Sequence, residues 1–197
     1  MPRKDRSPER RKELMPVVAR TFAELGYRRT TTSELARRCD VRENILYRLW
    51  ADKKEMFLEA IDYVFSLSDE TWKSLIAKDC AGTTAAERIL DYEAEHHGEF
   101  GLYRIVFAGL SEADDPEIGK ALRKMYSRFH RFISAQIAAG QEESAGLPSP
   151  GPSLTAWAVI GLGTVANIGR ELNLLSDRNR KQLIKEIGQV LLDGRDG

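Results

Sequence analysis

The chain has 197 residues, a formal net charge of zero, 42% hydrophobic and 30% charged residues, enough for one sizeable core or for a small module joined to a larger one. These proportions exclude a disordered, collagenous or disulfide-dense chain. The neutrality hides a division, because residues 1–54 hold 15 Lys and Arg against 8 Asp and Glu, and that basic end suits a polyanionic partner.

Taken in chain order, apolar residues recur at helical spacing almost throughout and strand signals are nearly absent. The first predicted helix runs from about residue 8 to residue 25, with Leu14, Val18, Phe22 and Leu25 on one face and Gly26 as a left-handed stop. Pro16 either starts its regular part or kinks it. Thr31 and Glu34 read as a T-x-x-E capping box for a short helix over 33–39, and a second short helix covers 43–49. Asp52 caps a long helix over 53–78, whose Met56, Phe57, Ala60, Ile61, Val64 and Phe65 form a continuous apolar stripe, and Gly82 closes that region.

Thr84 and Glu87 repeat the capping box for a helix to about residue 97, and a further helix is expected over 99–113. Asp115 and Pro116 then supply the cap and first-turn proline of a helix reaching about residue 143. A loop over 144–152 leads to two last helices, over about 153–175 and 177–192. The expected fold is all-α with about nine helices. A helix-turn-helix domain over residues 1–54 precedes a larger helical domain over 55–197.

Cys39 and Cys80 lie far apart without metal-ligand spacing, so neither a disulfide nor zinc is expected and the reading is a cytoplasmic protein without a cofactor. Residues 1–12 lack the apolar core of a signal peptide. The most apolar stretch, 154–169, is interrupted by Thr155, Thr164 and Asn167 and is shorter than the roughly 20 residues of a spanning helix.

A helix-turn-helix needs two short helices fixed at a steep angle, an apolar underside, and polar side chains on the outer face of the second helix. Residues 30–50 meet each requirement. Leu35, Ala36, Val41, Leu46 and Trp50 supply the underside, and Asp40 takes the turn position, where a left-handed backbone is tolerable for Asp. Arg42, Glu43, Asn44, Ile45, Tyr47 and Arg48 are left to face outward.

Over residues 14–57 this pattern resembles the TetR family of bacterial regulators. Phe22, Gly26 and Tyr27 match the end of the family's first helix, Thr30 and Thr31 its threonine pair, and Leu35 and Ala36 its second helix. Leu46, Tyr47 and Arg48 match the recognition helix, with Trp50 in place of the usual Phe and Lys53 at the family's lysine. Other residues depart from the pattern: Asp40 and Asn44 stand where Gly is preferred, Arg42 where a small hydroxyl residue is preferred, and Pro16 is atypical of the first helix. The resemblance implies a homodimeric repressor that a small-molecule effector releases from a palindromic operator.

The residue chemistry assigns Arg42 to guanine, Asn44 to adenine and Ile45 to a thymine methyl. Thr31, Thr32, Tyr47, Lys53 and the amides opening the long helix are assigned to the DNA-contacting face, where phosphate contacts fix register without reading sequence. Arg48 fits either role, and Glu43 either accepts from cytosine or pairs with a neighbouring Arg. The basic tail either follows the DNA backbone into the minor groove or is disordered.

In the remaining helices, Ala156, Ile160, Gly163 and Asn167 trace one face of the penultimate helix, with Ala158, Gly161, Val165 and Ile168 around it; this face is either a dimer interface or internal core. Trp72, Tyr92, Tyr103, Phe107, Met125, Phe129 and Trp157 sit on apolar stripes that are either core or, as the resemblance implies, the lining of an effector site. Glu93, Glu95, His96, His97 and Glu99 cluster along the chain, but adjacent helical histidines diverge by about 100°, which favours a solvated face over a metal site. Two other readings are a DNA-binding architectural or interaction protein without strong sequence preference, and a small helical enzyme. The enzyme reading lacks a nucleophile elbow, a phosphate-binding glycine loop, an HExxH sequence or a paired-cysteine site.

Overall fold

The computed structural model describes residues 7–77, 82–142 and 151–193, and every regular element among them is helical. In order these are α1 (Ser7–Arg29), α2 (Thr32–Arg38), α3 (Glu43–Leu49), α4 (Lys53–Ile76), α5 (Ala85–His96), α6 (Tyr103–Leu110), α7 (Pro116–Glu142) and α8 (Pro152–Glu171). A last run comprises α9 (Asp177–Gln182), a π-helical turn (Leu183–Ile187) and α10 (Gly188–Asp193). Counted as one rod, that run makes nine helices among the described residues. Cys80, the basic residues before position 7 and most of the expected 144–152 loop lie outside the described residues.

Two compact units result: residues 1–67 with 100–125, and residues 68–99 with 126–197. The first is built on α1. Leu14, Val18 and Phe22 are buried on the stripe the periodicity marks, and α1 continues through Pro16 to Gly26, whose φ of 74° breaks the helical backbone. Phe22 meets Phe57 edge-on at 4.9 Å, and Tyr27 lies 4.8 Å from Phe57. Burial of a ring of this size stabilises by about 1.5–3 kcal/mol. α6 packs against α1, so residues distant in sequence complete this unit.

In the second unit, α5, α8 and the last helical run pack together around Leu90, Ala94, Ala166 and Ile184. Thr84 opens α5 with a complete capping box: its hydroxyl accepts from Glu87 N–H, and the Glu87 carboxylate accepts from Thr84 N–H at 2.7 Å. Arg88 donates to the carbonyls of Leu75, Ile76 and Thr83, satisfying acceptors at the end of α4. At the end of α8, Asn173 takes a left-handed backbone and Leu174 N–H bonds back to Gly169 O at 2.9 Å, which closes the helix in a Schellman turn.

Some boundaries differ from the sequence reading. The helix expected over 99–113 is shorter, Tyr103–Leu110, because Gly98 and Gly101 have positive φ and delay its start. At Thr31 only half of the expected capping box forms: its hydroxyl accepts from Glu34 N–H at 3.2 Å, while the Glu34 carboxylate is taken by Arg37 and Arg38.

Candidate nucleic-acid interface

The connection between α2 and α3 is set by Asp40. Its φ of 52° lets Val41 N–H reach Ala36 O at 3.0 Å and its own N–H reach Arg37 O at 3.3 Å, a Schellman closure made with Asp instead of Gly. From there α3 leaves α2 with Leu46, Leu49 and Trp50 buried beneath it, opposite the buried Leu35 and Ala36 of α2. The underside contains the expected residues except Val41, which is only partly buried, and it includes Leu49 as well.

Trp50 anchors this module. Its N–H closes α3 on Leu46 O at 2.8 Å, and its indole N–H donates to the Glu59 carboxylate on α4 at 2.5 Å. Arg11 of α1 bonds both Glu55 and Glu59 and lies over the Trp50 ring at 5.6 Å. Lys53 works in the same direction. Its amine donates to Tyr27 O and Thr30 O and rests 4.5 Å above the Tyr27 ring. The geometry thus has Lys53 brace the end of α1 against the start of α4.

Other cations of the unit are also engaged. Arg37 and Arg38 share Glu34, Arg38 also reaches Glu24, Arg28 meets Glu112, and Lys54 meets Asp115 and Glu117. Hydrogen bonds from Arg37 and then Arg38 hold the Glu34 carboxyl down at about 2. Asp115 is also below the usual carboxylate range, first because it accepts from Glu117 N–H at the start of α7.

The outward face of α3 is different. Arg42, Asn44 and Arg48 are exposed and their side chains bond to no other described residue, and Ile45 beside them is half-buried. Arg42 precedes the helix in an extended conformation. Glu43 accepts from the Thr32 hydroxyl at 3.2 Å, and Thr32 in turn accepts from the Tyr47 hydroxyl at 3.1 Å. Thr31 is exposed at the start of α2. Thr32, Glu43 and Tyr47 are thereby brought together across α2 and α3. The Thr32 link escapes sequence reading because its partners are eleven and fifteen positions away.

The aromatic candidates divide between the units. Tyr103, Phe107 and Met125 belong to the first, where Tyr103 and Phe107 meet edge-on at 5.9 Å and Met125 is fully buried. Trp72, Tyr92, Phe129 and Trp157 belong to the second. Trp72 is buried against Phe129 and Phe132 with its indole N–H on Glu93 at 2.7 Å, whereas Trp157 is exposed and stacks on His130. The two histidines of α5 diverge: His96 faces Glu99, and His97 sits between Glu93 and the carbonyl of Gly163. Among the described residues no group of three or more His, Cys, Asp or Glu is placed to hold a metal ion.

On α8 the expected interface face points partly inward. Ala156 and Asn167 are buried within the second unit, and Gly163 lies against the His97 ring. The apolar face turned to solvent carries Leu154, Val165, Ile168 and Leu172, with Ile187 and Val190 exposed on the last helical run. No described helix is long and apolar enough to cross a membrane.

Residues 18–60, from α1 into α4, match the sequence profile of the bacterial regulatory proteins, tetR family. Among curated proteins no relative matches the sequence. A Rhodococcus sp. protein assigned to the TetR-family transcriptional regulators has the same fold, with a TM-score of 0.79 and 17% identity over 94% of this chain and 99% of that one. A TetR-family transcriptional regulator from Cytophaga hutchinsonii superposes with a TM-score of 0.76 and 17% identity over 98% of each chain. AibR, in complex with isovaleryl coenzyme A and operator DNA, superposes with a TM-score of 0.67 and 15% identity over 94% of this chain and all of its own. The amino-terminal segment thus carries the tetR-family profile, and the chain as a whole has the fold of these TetR-family regulators.

Proposed function

We propose that this chain is a homodimeric, sequence-specific repressor that binds a palindromic DNA operator through α2 and α3 and is released by a small-molecule effector, without enzymatic activity. One observation carries this reading. Within a module whose other described cations are largely held by carboxylates and carbonyls, Arg42, Asn44 and Arg48 stand exposed and unpartnered on the outer face of the second helix. Arg42 is assigned to guanine, Asn44 to adenine and Ile45 to a thymine methyl, while Thr31, Thr32, Tyr47 and Arg48 lie where phosphates would flank them.

One such module buries too little surface for tight binding, so two copies reading half-sites about 34–36 Å apart are required. The solvent-facing Leu154, Val165, Ile168 and Leu172 on α8, with Ile187 and Val190, form the apolar surface that a second copy would cover. The ligand and operator in the AibR structure support an effector for this chain too. The candidate contacts, each taken within its own unit, are Trp72, Tyr92, Phe129 and Trp157 in the second and Tyr103, Phe107 and Met125 in the first. Release requires the effector to bind one arrangement of the dimer more tightly than the other.

Selection of bound sequences from random DNA, with the full chain, tests the reading. The expected product is a two-fold-symmetric operator preferred over bulk DNA by at least about a thousandfold at fixed salt. Uniform binding to all DNA, or none, refutes it. Sedimentation of Val165→Asp/Ile168→Asp tests the dimer, with a monomer expected and an unchanged species refuting that interface.

A further inference from the structure

We propose that Glu43 is a base-reading residue that selects cytosine at one position of each half-site, with Thr32 as its positioning residue. This rests on the regulator reading above and specifies one part of its target. A carboxylate on a face that approaches DNA is repelled by phosphates, and it becomes favourable only where a base offers it a donor. The surroundings of Glu43 do not neutralise it: no Lys, Arg or His among the described residues pairs with it, since Arg37 and Arg38 are held by Glu34 and Arg42 points free. Its one bond is from the Thr32 hydroxyl to Oε2 at 3.2 Å.

That bond belongs to a directed chain. The Tyr47 hydroxyl donates to Thr32 Oγ1 at 3.1 Å, so the Thr32 proton is turned toward Glu43. One carboxylate oxygen is fixed, and the other remains an unpartnered acceptor on an exposed residue flanked in sequence by the exposed Arg42 and Asn44.

An ionised carboxylate can only accept hydrogen bonds. In the major groove, guanine presents two acceptors and thymine one, and adenine sets its amino donor beside the N7 acceptor; cytosine alone presents a donor without an adjoining acceptor. A pinned acceptor therefore favours cytosine over the other three bases. A glutamine at the same place has a donor as well as an acceptor and matches adenine N6 and N7.

The experiment measures binding of the full chain to its selected operator with each half-site position varied through all four bases. The wild type is expected to favour cytosine at one position by about 5- to 150-fold, the range for a good side-chain-to-base pair. Glu43→Gln should move that preference to adenine at the same position. Thr32→Val should reduce discrimination there while other positions keep their profile, and Thr32→Ser should restore it. Unchanged thermal unfolding of the three variants confirms that the comparison concerns recognition. A Glu43→Gln profile identical to wild type, or uniformly tighter binding to every sequence, overturns the proposal by showing that Glu43 only repels. A wild-type chain with no preferred sequence overturns the regulator reading itself, and this inference with it.

Discussion

Replacing Trp50 by Phe tests whether the indole is the bolt between α3 and α4. Trp50 is 1% exposed, and its N–H bonds Glu59 Oε2 at 2.5 Å. A hydrogen bond to a charged acceptor contributes about 1.5–3 kcal/mol, but Glu59 is 35% exposed and keeps Arg11, so about 1 kcal/mol is the appropriate share. Loss of part of a fully buried ring adds about 1–2 kcal/mol. The sum, about 2–3 kcal/mol, corresponds to a fall of roughly 4–12 °C in the melting temperature of a chain this size. Calorimetry on Trp50→Phe, Glu59→Gln and the double variant measures it, with a coupling of about 1 kcal/mol expected between the two sites. A Trp50→Phe melting temperature within about 2 °C of wild type, or strict additivity, refutes the assignment.

Arg42→Ala should relax the preference for guanine at one operator position by about 1–3 kcal/mol and leave the other positions unchanged, as read by competition binding; an equal loss on all DNA would make Arg42 a phosphate ligand. Glu34 has its pKa lowered to about 2 by Arg37 and Arg38, so its contribution is fully present above the unfolded value of about 4.5 and is lost as pH falls toward 2. The melting-temperature gap between wild type and Glu34→Gln should therefore close over that window, and a gap independent of pH would refute the pairing. A Cβ at Gly188 would overlap Leu90 Cδ1, so Gly188→Val should destabilise by about 1–3 kcal/mol in denaturant melts. Adding Leu90→Ala should cost less than its own effect, and full additivity would contradict the contact.

What the sequence discloses here is local. Asp40 as a left-handed turn residue, Asp52 accepting from Glu55 N–H, the Thr84 capping box and Asp115 at the start of α7 all follow from neighbours within a few residues, and each is found. The buried stripe of Leu35, Ala36 and Leu46 follows from periodicity. What sequence reading misses depends on distant partners. α6 returns to pack on α1, Lys53 is drawn onto Tyr27 and Thr30, and Glu34 is captured by two arginines before it can complete its own cap. The face of α8 was ambiguous for the same reason. Small and apolar residues occupy most of its circumference, so periodicity could not say that Ala156 and Asn167 turn inward while Val165 and Ile168 turn out.

The same distinction bears on how the basic end functions. An excess of seven positive charges over residues 1–54 suggests a broad electrostatic grip, yet Arg10, Arg11, Arg28, Arg37, Arg38 and Lys54 are in ion pairs, and Arg29 and Lys53 are bonded to backbone carbonyls. Most of these cations hold helices together, and among the described residues Lys12 and Arg20 on α1 and Arg42 and Arg48 at α3 are left without side-chain partners. Each phosphate neutralised adds about 0.9 to the slope of log affinity against log salt. If the proposed function holds, the salt slope of binding should therefore reflect the cations left without protein partners, and the choice of sequence should rest on Arg42, Glu43, Asn44 and Ile45. Arg42 and Asn44 are also where this chain departs from the pattern it resembles, so under the proposed function the scaffold would be shared and the target sequence would differ.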